Sequence, residues 1–249
     1  MLNIIFKDNI SECSYLSIAS KGIRKFSTAR PSVISISHYF SPERRKVEEF
    51  IENIYAEKYE AKISSHYPIL MSVRDAEDNI IAAVGFRYAD EERLFLEQYL
   101  NEKIEDILGN KFKDKDINRG KIVEVGGLAS KGNGASIFLF TALATYLKRE
   151  GKEYVSVTAT TFLRRYFAKI GLKLKFISKA ENSKLIDNGA SWGTYYATEP
   201  QVRAGTISSV CKLLKRKLKA ELRDSDASYF ARLHKKMEDY SIWAKFFKK

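Results

Sequence analysis

The sequence predicts an α/β protein: a mixed central sheet flanked by helices, followed by a basic helical C-terminal extension. Two patterns carry this. Residues 121–177 read as strand, Gly-rich loop, helix, strand, helix, strand. That order requires helices packed on a sheet, with at least one right-handed crossover. Upstream, the apolar runs 69–74 and 80–87 flank the turn Asp75-Ala76-Glu77-Asp78-Asn79, the pattern of a β-hairpin. The composition agrees: 45% hydrophobic and 30% charged over 249 residues can bury a sizeable core.

Taken in order, residues 1–30 show no clear pattern. Residues 33–37 alternate as a short strand. Ser41-Pro42-Glu43 reads as a helix start, with Ser as N-cap and Pro in the first turn. Val47, Phe50, Ile51, Ile54 and Tyr55 then give one apolar helical face. After the hairpin, residues 95–100 fit either a strand or the edge of a helix, and residues 109–121 read as a surface loop. A strand over 121–128 ends in Gly126-Gly127 and leads into the small-residue loop 129–135. A helix over 137–150, a β-branched strand over 154–159 and a helix over 161–170 follow, the last closed by Gly171. Residues 172–177 complete the core as a strand. Two helical stretches, one with an apolar stripe at Val210, Leu213, Leu214, Leu218 and Leu222 and one over 227–247, form the extension. The expected domains are 1–205 and 206–249.

Chemistry concentrates in residues 124–135. Glycines let a backbone approach a ligand, and the N-terminus of the following helix favours an anion. An ordinary tight turn fits the loop equally well. No Gly-Lys-Ser/Thr follows, so this is not a Walker A loop, and the glycine spacing is not that of a dinucleotide site. Glu124, between Val123 and Val125, points to the face opposite those two. Burial there would raise its pKa and suit it to act as a general base; the alternative is a structural pair with Arg87 or Arg74. Arg74, Asp75, Arg87, Glu97 and Gln98 form a polar set around the hairpin, read either as ligand-binding groups or as a solvated sheet edge. His66 is read as structural in preference to a general base. Trp192, Tyr195 and Tyr196 read either as the lining of an apolar tunnel or as the core of a strand. The cysteines Cys13 and Cys211 and the histidines His38, His66 and His234 are scattered, which argues against disulfides and a metal site.

The run of strand, Gly-rich loop, helix and strand, with Tyr166-Phe167-Ala168-Lys169-Ile170-Gly171-Leu172, resembles the core of GNAT acyltransferases. Tyr67-Pro68-Ile69-Leu70-Met71-Ser72-Val73-Arg74-Asp75, Ala82-Ala83-Val84-Gly85-Phe86-Arg87, Leu94-Phe95-Leu96-Glu97-Gln98-Tyr99-Leu100, Ile122-Val123-Glu124-Val125-Gly126-Gly127-Leu128-Ala129 and Trp192-Gly193-Thr194-Tyr195-Tyr196 resemble the thermostable hemolysin family. The arrangement Arg-Asp, Gly-x-Arg and Glu distantly resembles acyl-homoserine lactone synthases. The resemblance implies a GNAT-like fold and an N-acyltransferase. Its acyl donor would be acyl-CoA or acyl carrier protein, and its acceptor a small amine or amino acid. Donor binding would fall to Leu128, Ala129, Gly132, Asn133, Gly134 and Ala135, acceptor binding to Arg74, Arg87, Glu97 and Trp192, and catalysis to Glu124. No permanently bound cofactor and no metal are implied. Two positions depart from the GNAT pattern: Ala129 stands where Gln or Arg usually opens the loop, and Phe167 where a tyrosine often serves as general acid. One residue is about 100° of helix rotation, so Tyr166 is expected to point elsewhere.

The net charge of +12 favours acidic partners. From residue 206 onward there are twelve Lys and Arg against five Asp and Glu. This basic stretch has three readings: a dock for an acidic carrier protein, a peripheral contact with anionic membrane, or a solvated face over a packed stripe. Nucleic-acid binding lacks a motif. The N-terminal residues lack the pattern of a signal peptide, so the expected location is cytoplasmic. A membrane-active protein and a non-catalytic acyl-carrier-binding module remain as alternative functions.

Overall fold

A computed structural model describes residues 1–8, 14–114 and 116–224. Cys13, His234 and the expected helix over 227–247 lie outside the described residues.

The N-terminal region, where the sequence shows no pattern, forms β1 (Leu2–Lys7), β2 (Ser14–Ile18) and the short α1 (Ser20–Ile23). β3 (Val33–Ser37) runs parallel to β1. α2 (Arg44–Tyr59) begins later than Ser41 because Ser41 Oγ accepts the His38 amide and closes a preceding turn. β4 (Ile69–Arg74) and β5 (Ile80–Tyr88) make the expected hairpin. Asp75 holds its turn by accepting the amides of Glu77 and Asn79. A 3-10 helix, Phe95–Tyr99, and α3 (Ile104–Phe112) follow. α3 and a 3-10 turn at Arg119–Lys121 occupy much of the expected surface loop, because Ile104 and Leu108 are buried.

β6 (Ile122–Ser130), α4 (Ser136–Arg149), β7 (Tyr154–Ala159), α5 (Thr161–Ile170) and β8 (Lys175–Lys179) match the expected core order. The Thr160 hydroxyl caps α5 by accepting the Leu163 amide, and Gly171 closes it at φ 80°. Trp192 and Tyr195–Thr198 lie in 3-10 turns, not on a strand. β9 (Gln201–Thr206), α6 (Ile207–Leu218) and β10 (Glu221–Asp224) complete the described chain.

Among the described residues the strands form one ten-stranded sheet, ordered β10-β2-β1-β3-β4-β5-β6-β7-β9-β8. It is mixed: β1–β3 and β6–β7 are parallel, the other pairs antiparallel. One face carries α4, α5 and α6 over Val123, Val125 and Val157. The other carries α2 and the segments around Leu96 and Tyr195.

Beyond residue 205 the described chain packs into the same core. Ile207, Val210, Leu214 and Leu218 of α6 are buried, and the Cys211 thiol reaches the Ala144 carbonyl of α4 at 3.1 Å. β10 pairs with β2. Lys212, Lys215 and Arg216 remain exposed, so α6 is a packed apolar stripe with a solvated basic back. Among the described residues no helix is long and apolar enough to cross a membrane.

Candidate active site

The parallel pairing of β6 with β7 runs from Ile122–Tyr154 to Val125–Val157 and stops there. Beyond it β6 continues against β5 through an irregularity between Ala83 and Gly85, with Gly127 at φ 58°. Only glycine adopts that conformation at no cost. Strands that pair at one end and part at the other leave a gap in the sheet.

A cavity of about 290 Å³ occupies that gap. On the α4–α6 face Phe140, Leu143, Val157, Leu163, Phe167 and Val210 line it. On the α2 face Tyr55, Tyr59, Phe95, Tyr99, Trp192 and Tyr195 line it. These aromatic rings support one another, with Trp192 5.2 Å from Tyr195 and 5.7 Å from Phe95, and Tyr99 and Tyr196 sharing a 2.6 Å hydroxyl contact. Two buried hydroxyls on the cavity wall, Thr158 Oγ1 and Tyr166 Oη, have no hydrogen-bond partner among the described residues. Tyr166 and Phe167 both line the cavity, their one-residue offset notwithstanding.

The Gly-rich loop forms one end. Gly132, Gly134 and Leu128 line the cavity, whereas Ala129 and Ala135 are packed in the core. Gly132, Asn133 and Gly134 all have positive φ. The Asn133 carbonyl accepts from Ser27 Oγ and the amides of Thr28 and Ala29, and a side chain at 134 would collide with the Phe26 carbonyl. The loop is thus fixed from behind by residues 26–29, a segment for which the sequence shows no pattern.

Glu124 is fully buried and faces away from Val123 and Val125. It does not itself line the cavity. Its Oε2 accepts the Phe95 amide at 2.7 Å, and its Oε1 accepts the Leu96 amide at 3.0 Å and the Tyr67 hydroxyl at 3.2 Å. Arg87 Nε stands 3.6 Å from Oε2. Burial pushes the carboxyl up to about 7, against the opposing pull of Arg87 and of the Phe95, Leu96 and Tyr67 hydrogen bonds.

The remaining expected residues divide. Arg87 and Trp192 line the cavity. Arg74 does not; its guanidinium is buried against Asp78 and Glu43 at 3.0 and 3.2 Å. Glu97 does not either; it is clamped by Arg119 at 2.8 Å through both oxygens. Asp75 holds the hairpin turn, Gln98 donates to the Phe95 carbonyl, and His66 lines the cavity wall with its ring 2.9 Å from Glu52. Tyr67, which in the sequence stands out only within a family-like motif, lines the cavity; the signal that singles it out is its fit over Gly85 and Gly126, which requires the register of β5 and β6.

Residues 38–211 match a family model described as thermostable hemolysin. No curated protein matches the sequence. Among solved structures, the chain is similar to an N-acyl amino acid synthase from uncultured soil microbes, at 14% identity over 73% of this chain and 99% of that one, with a TM-score of 0.49. It is similar to a CoA-dependent acyl-homoserine lactone synthase solved with SAM and isopentyl-CoA, at 12% identity over 74% and 87% of the two chains, TM-score 0.48. It is also similar to arylalkylamine N-acetyltransferase 2 from Aedes aegypti, at 15% identity over 70% and 99%, TM-score 0.43.

Proposed function

The chain belongs to the thermostable hemolysin family, and we propose that it is an acyltransferase moving an acyl group from a phosphopantetheine thioester to a small amine or amino acid. The observation that carries this reading is the cavity through the sheet where β6 and β7 part at Val125 and Val157. One end meets the Gly132–Gly134 loop before α4, where the close-approaching glycine backbone and the helix dipole favour the phosphates of a donor. The apolar wall of Phe140, Leu143 and Leu163 suits an alkyl chain. The exposed cations Arg24, Lys25 and Lys131 near the loop suit the acidic surface of CoA or of an acyl carrier protein.

In this reading the thioester carbonyl lies beside Gly126–Leu128. The amine nitrogen attacks the carbonyl carbon, and backbone N–H groups stabilise the oxyanion. Collapse breaks the C–S bond and releases the thiol, while the nitrogen loses a proton. Leu128, Gly132 and Gly134 contact the donor, with Ala129, Asn133 and Ala135 shaping the loop; Arg87 and Trp192 face the acceptor. A direct action of α6 on membranes has less support, because its apolar residues are already buried.

The test is thiol release and product mass with CoA and carrier-protein thioesters of graded chain length and a pool of amines. Expected is release that requires an acceptor, with donor KM falling about fourfold per added methylene until the cavity is full. Binding without release in every combination would replace the enzyme by a carrier-binding module.

A further inference from the structure

We propose that Tyr67 carries the proton between the acceptor amine and Glu124, so that the buried carboxylate acts only through the tyrosine hydroxyl. The inference rests on the acyltransferase reading above.

Glu124 has no surface of its own on the cavity. Among the described residues, four groups contact its oxygens: the amides of Phe95 and Leu96, Arg87 Nε and the Tyr67 hydroxyl. Peptide amides and a guanidinium do not exchange a proton in a catalytic cycle. Tyr67 is the remaining group, and it lies on the cavity wall.

Its position is fixed from several sides. Gly85 and Gly126 are register partners on β5 and β6, and the Tyr67 ring lies over both. A Cβ at 85 would stand 2.6 Å from Tyr67 Cβ, and a Cβ at 126 would collide with the hydroxyl. Gly126 is also the first β6 residue beyond the last β6–β7 pair, so the hydroxyl lies where the cavity passes through the sheet. The Arg87 guanidinium stacks on the ring, 4.6 Å from its centre. Arg44, buried at the start of α2, donates to the carbonyls of Tyr67 and Pro68 at 2.8 and 2.7 Å. This clamp sets the backbone that carries the ring.

The amine nitrogen forms its bond to the carbonyl carbon and becomes positively charged. Its proton passes to Tyr67 Oη while the proton of Tyr67 passes to Glu124 Oε1, which becomes a neutral acid. As the C–S bond breaks, the proton returns through Tyr67 to the thiolate. Amine and thioester become amide and thiol, with Tyr67 and Glu124 restored. Burial raises the Tyr67 phenol well above its usual range, so a free tyrosinate is avoided and the two transfers are coupled. The charged and titratable groups that act on Glu124 are Arg87 from β5, Tyr67 before β4 and, without a hydrogen bond to it, Tyr99 from the 3-10 turn, whose hydroxyl is paired with that of Tyr196. With these partners the carboxyl, at about 7, exchanges a proton near neutral pH.

The experiment compares wild type, Tyr67→Phe and Glu124→Gln in the thiol-release assay from pH 5.5 to 9, with the Glu124 carboxyl followed by infrared titration in wild type and Tyr67→Phe. Wild-type kcat/KM should rise through an apparent pKa near 7. Both variants should lose kcat about 100-fold and lose that rise, with the donor KM of Tyr67→Phe within about threefold of wild type. Loss of the hydroxyl should move the carboxyl titration up by about one pH unit. Should Glu124→Gln not fold, Tyr67→Phe still decides, because it leaves the other donors to Glu124 in place. A Tyr67→Phe enzyme with full kcat and the same pH rise overturns the relay alone. Wild type that releases no thiol with any donor overturns the acyltransferase reading, and the relay with it.

Discussion

Glu97 and Glu124 both hold the 3-10 turn at residues 95–99, and they are held in opposite protonation regimes. Glu97 lies within the turn and accepts the Leu94 amide at 3.0 Å; Glu124 reaches across from β6 to accept the next two amides. Both are desolvated, which raises a carboxyl pKa. At Glu97 the bidentate Arg119 pair and the Leu94 amide outweigh burial and hold the carboxyl below its usual range. At Glu124 burial wins, because its nearest cation, Arg87, approaches Oε2 only at 3.6 Å and shares its guanidinium with Glu92 and the Arg93 carbonyl. One carboxylate is a scaffold with its charge matched. The other is under-compensated and separated from the cavity by Tyr67, a perturbation of the kind that clusters at functional sites.

The largest effect that sharpens this contrast is on stability against pH. The folded chain binds the Glu124 proton more tightly than the unfolded chain, whose value is near 4.5. Between 4.5 and about 7 the folded state holds the extra proton, so stability is fully present below that window and declines as pH rises through it, by about 3 kcal/mol. Glu124→Gln should flatten that decline in denaturant titrations from pH 5 to 8. Glu97 has the opposite sign: its contribution is present above 4.5 and fades as pH falls through its lowered folded value, so Glu97→Gln should flatten only the acid limb. Coincident pH profiles for wild type and Glu124→Gln would show that the two carboxylates do not differ as described.

A smaller effect comes from breaking the matched pair. Arg119→Met leaves Glu97 and Glu105 without their shared partner, which lies 2.8 and 2.7 Å away. The expected loss is about 2 kcal/mol, below the range for fully buried pairs because Arg119 is partly exposed. The pH rise in kcat/KM should stay where it is. A shift of that rise would mean that the Arg119 network reaches Glu124.

How far the sequence foretells these roles follows from what each depends on. Glu124 facing away from Val123 and Val125 follows from strand alternation, and the end of α5 follows from Gly171, both local signals. Glu97 and Arg74 looked alike in sequence, as charges beside the hairpin. Their structural roles depend on Arg119, 22 residues downstream of Glu97, and on Glu43, which precedes α2. The segment behind the Gly-rich loop, residues 26–29, was illegible for the same reason: it is ordered by the Asn133 carbonyl, 106 residues from Ser27. Periodicity reports what a residue does within its own element; it carries no information on which distant group matches its charge.

The finest test separates proximity from pairing. Arg87 lowers the Glu124 pKa by its charge, while its flat guanidinium also supports the Tyr67 ring. Arg87→Met removes both, whereas Arg87→Lys keeps a cation and loses the planar stack. If the under-compensation of Glu124 is set by that charge, Arg87→Met should move the rise in kcat/KM upward by about one pH unit and Arg87→Lys by less. Both should lower kcat modestly through a looser Tyr67. A Met variant whose pH profile does not move would place the control of Glu124 in the Phe95 and Leu96 amides. The 3-10 turn, which Glu97 and Arg119 hold in shape, would then set the proton affinity of its neighbour, and the scaffold carboxylate would act on the chemistry through two backbone N–H groups.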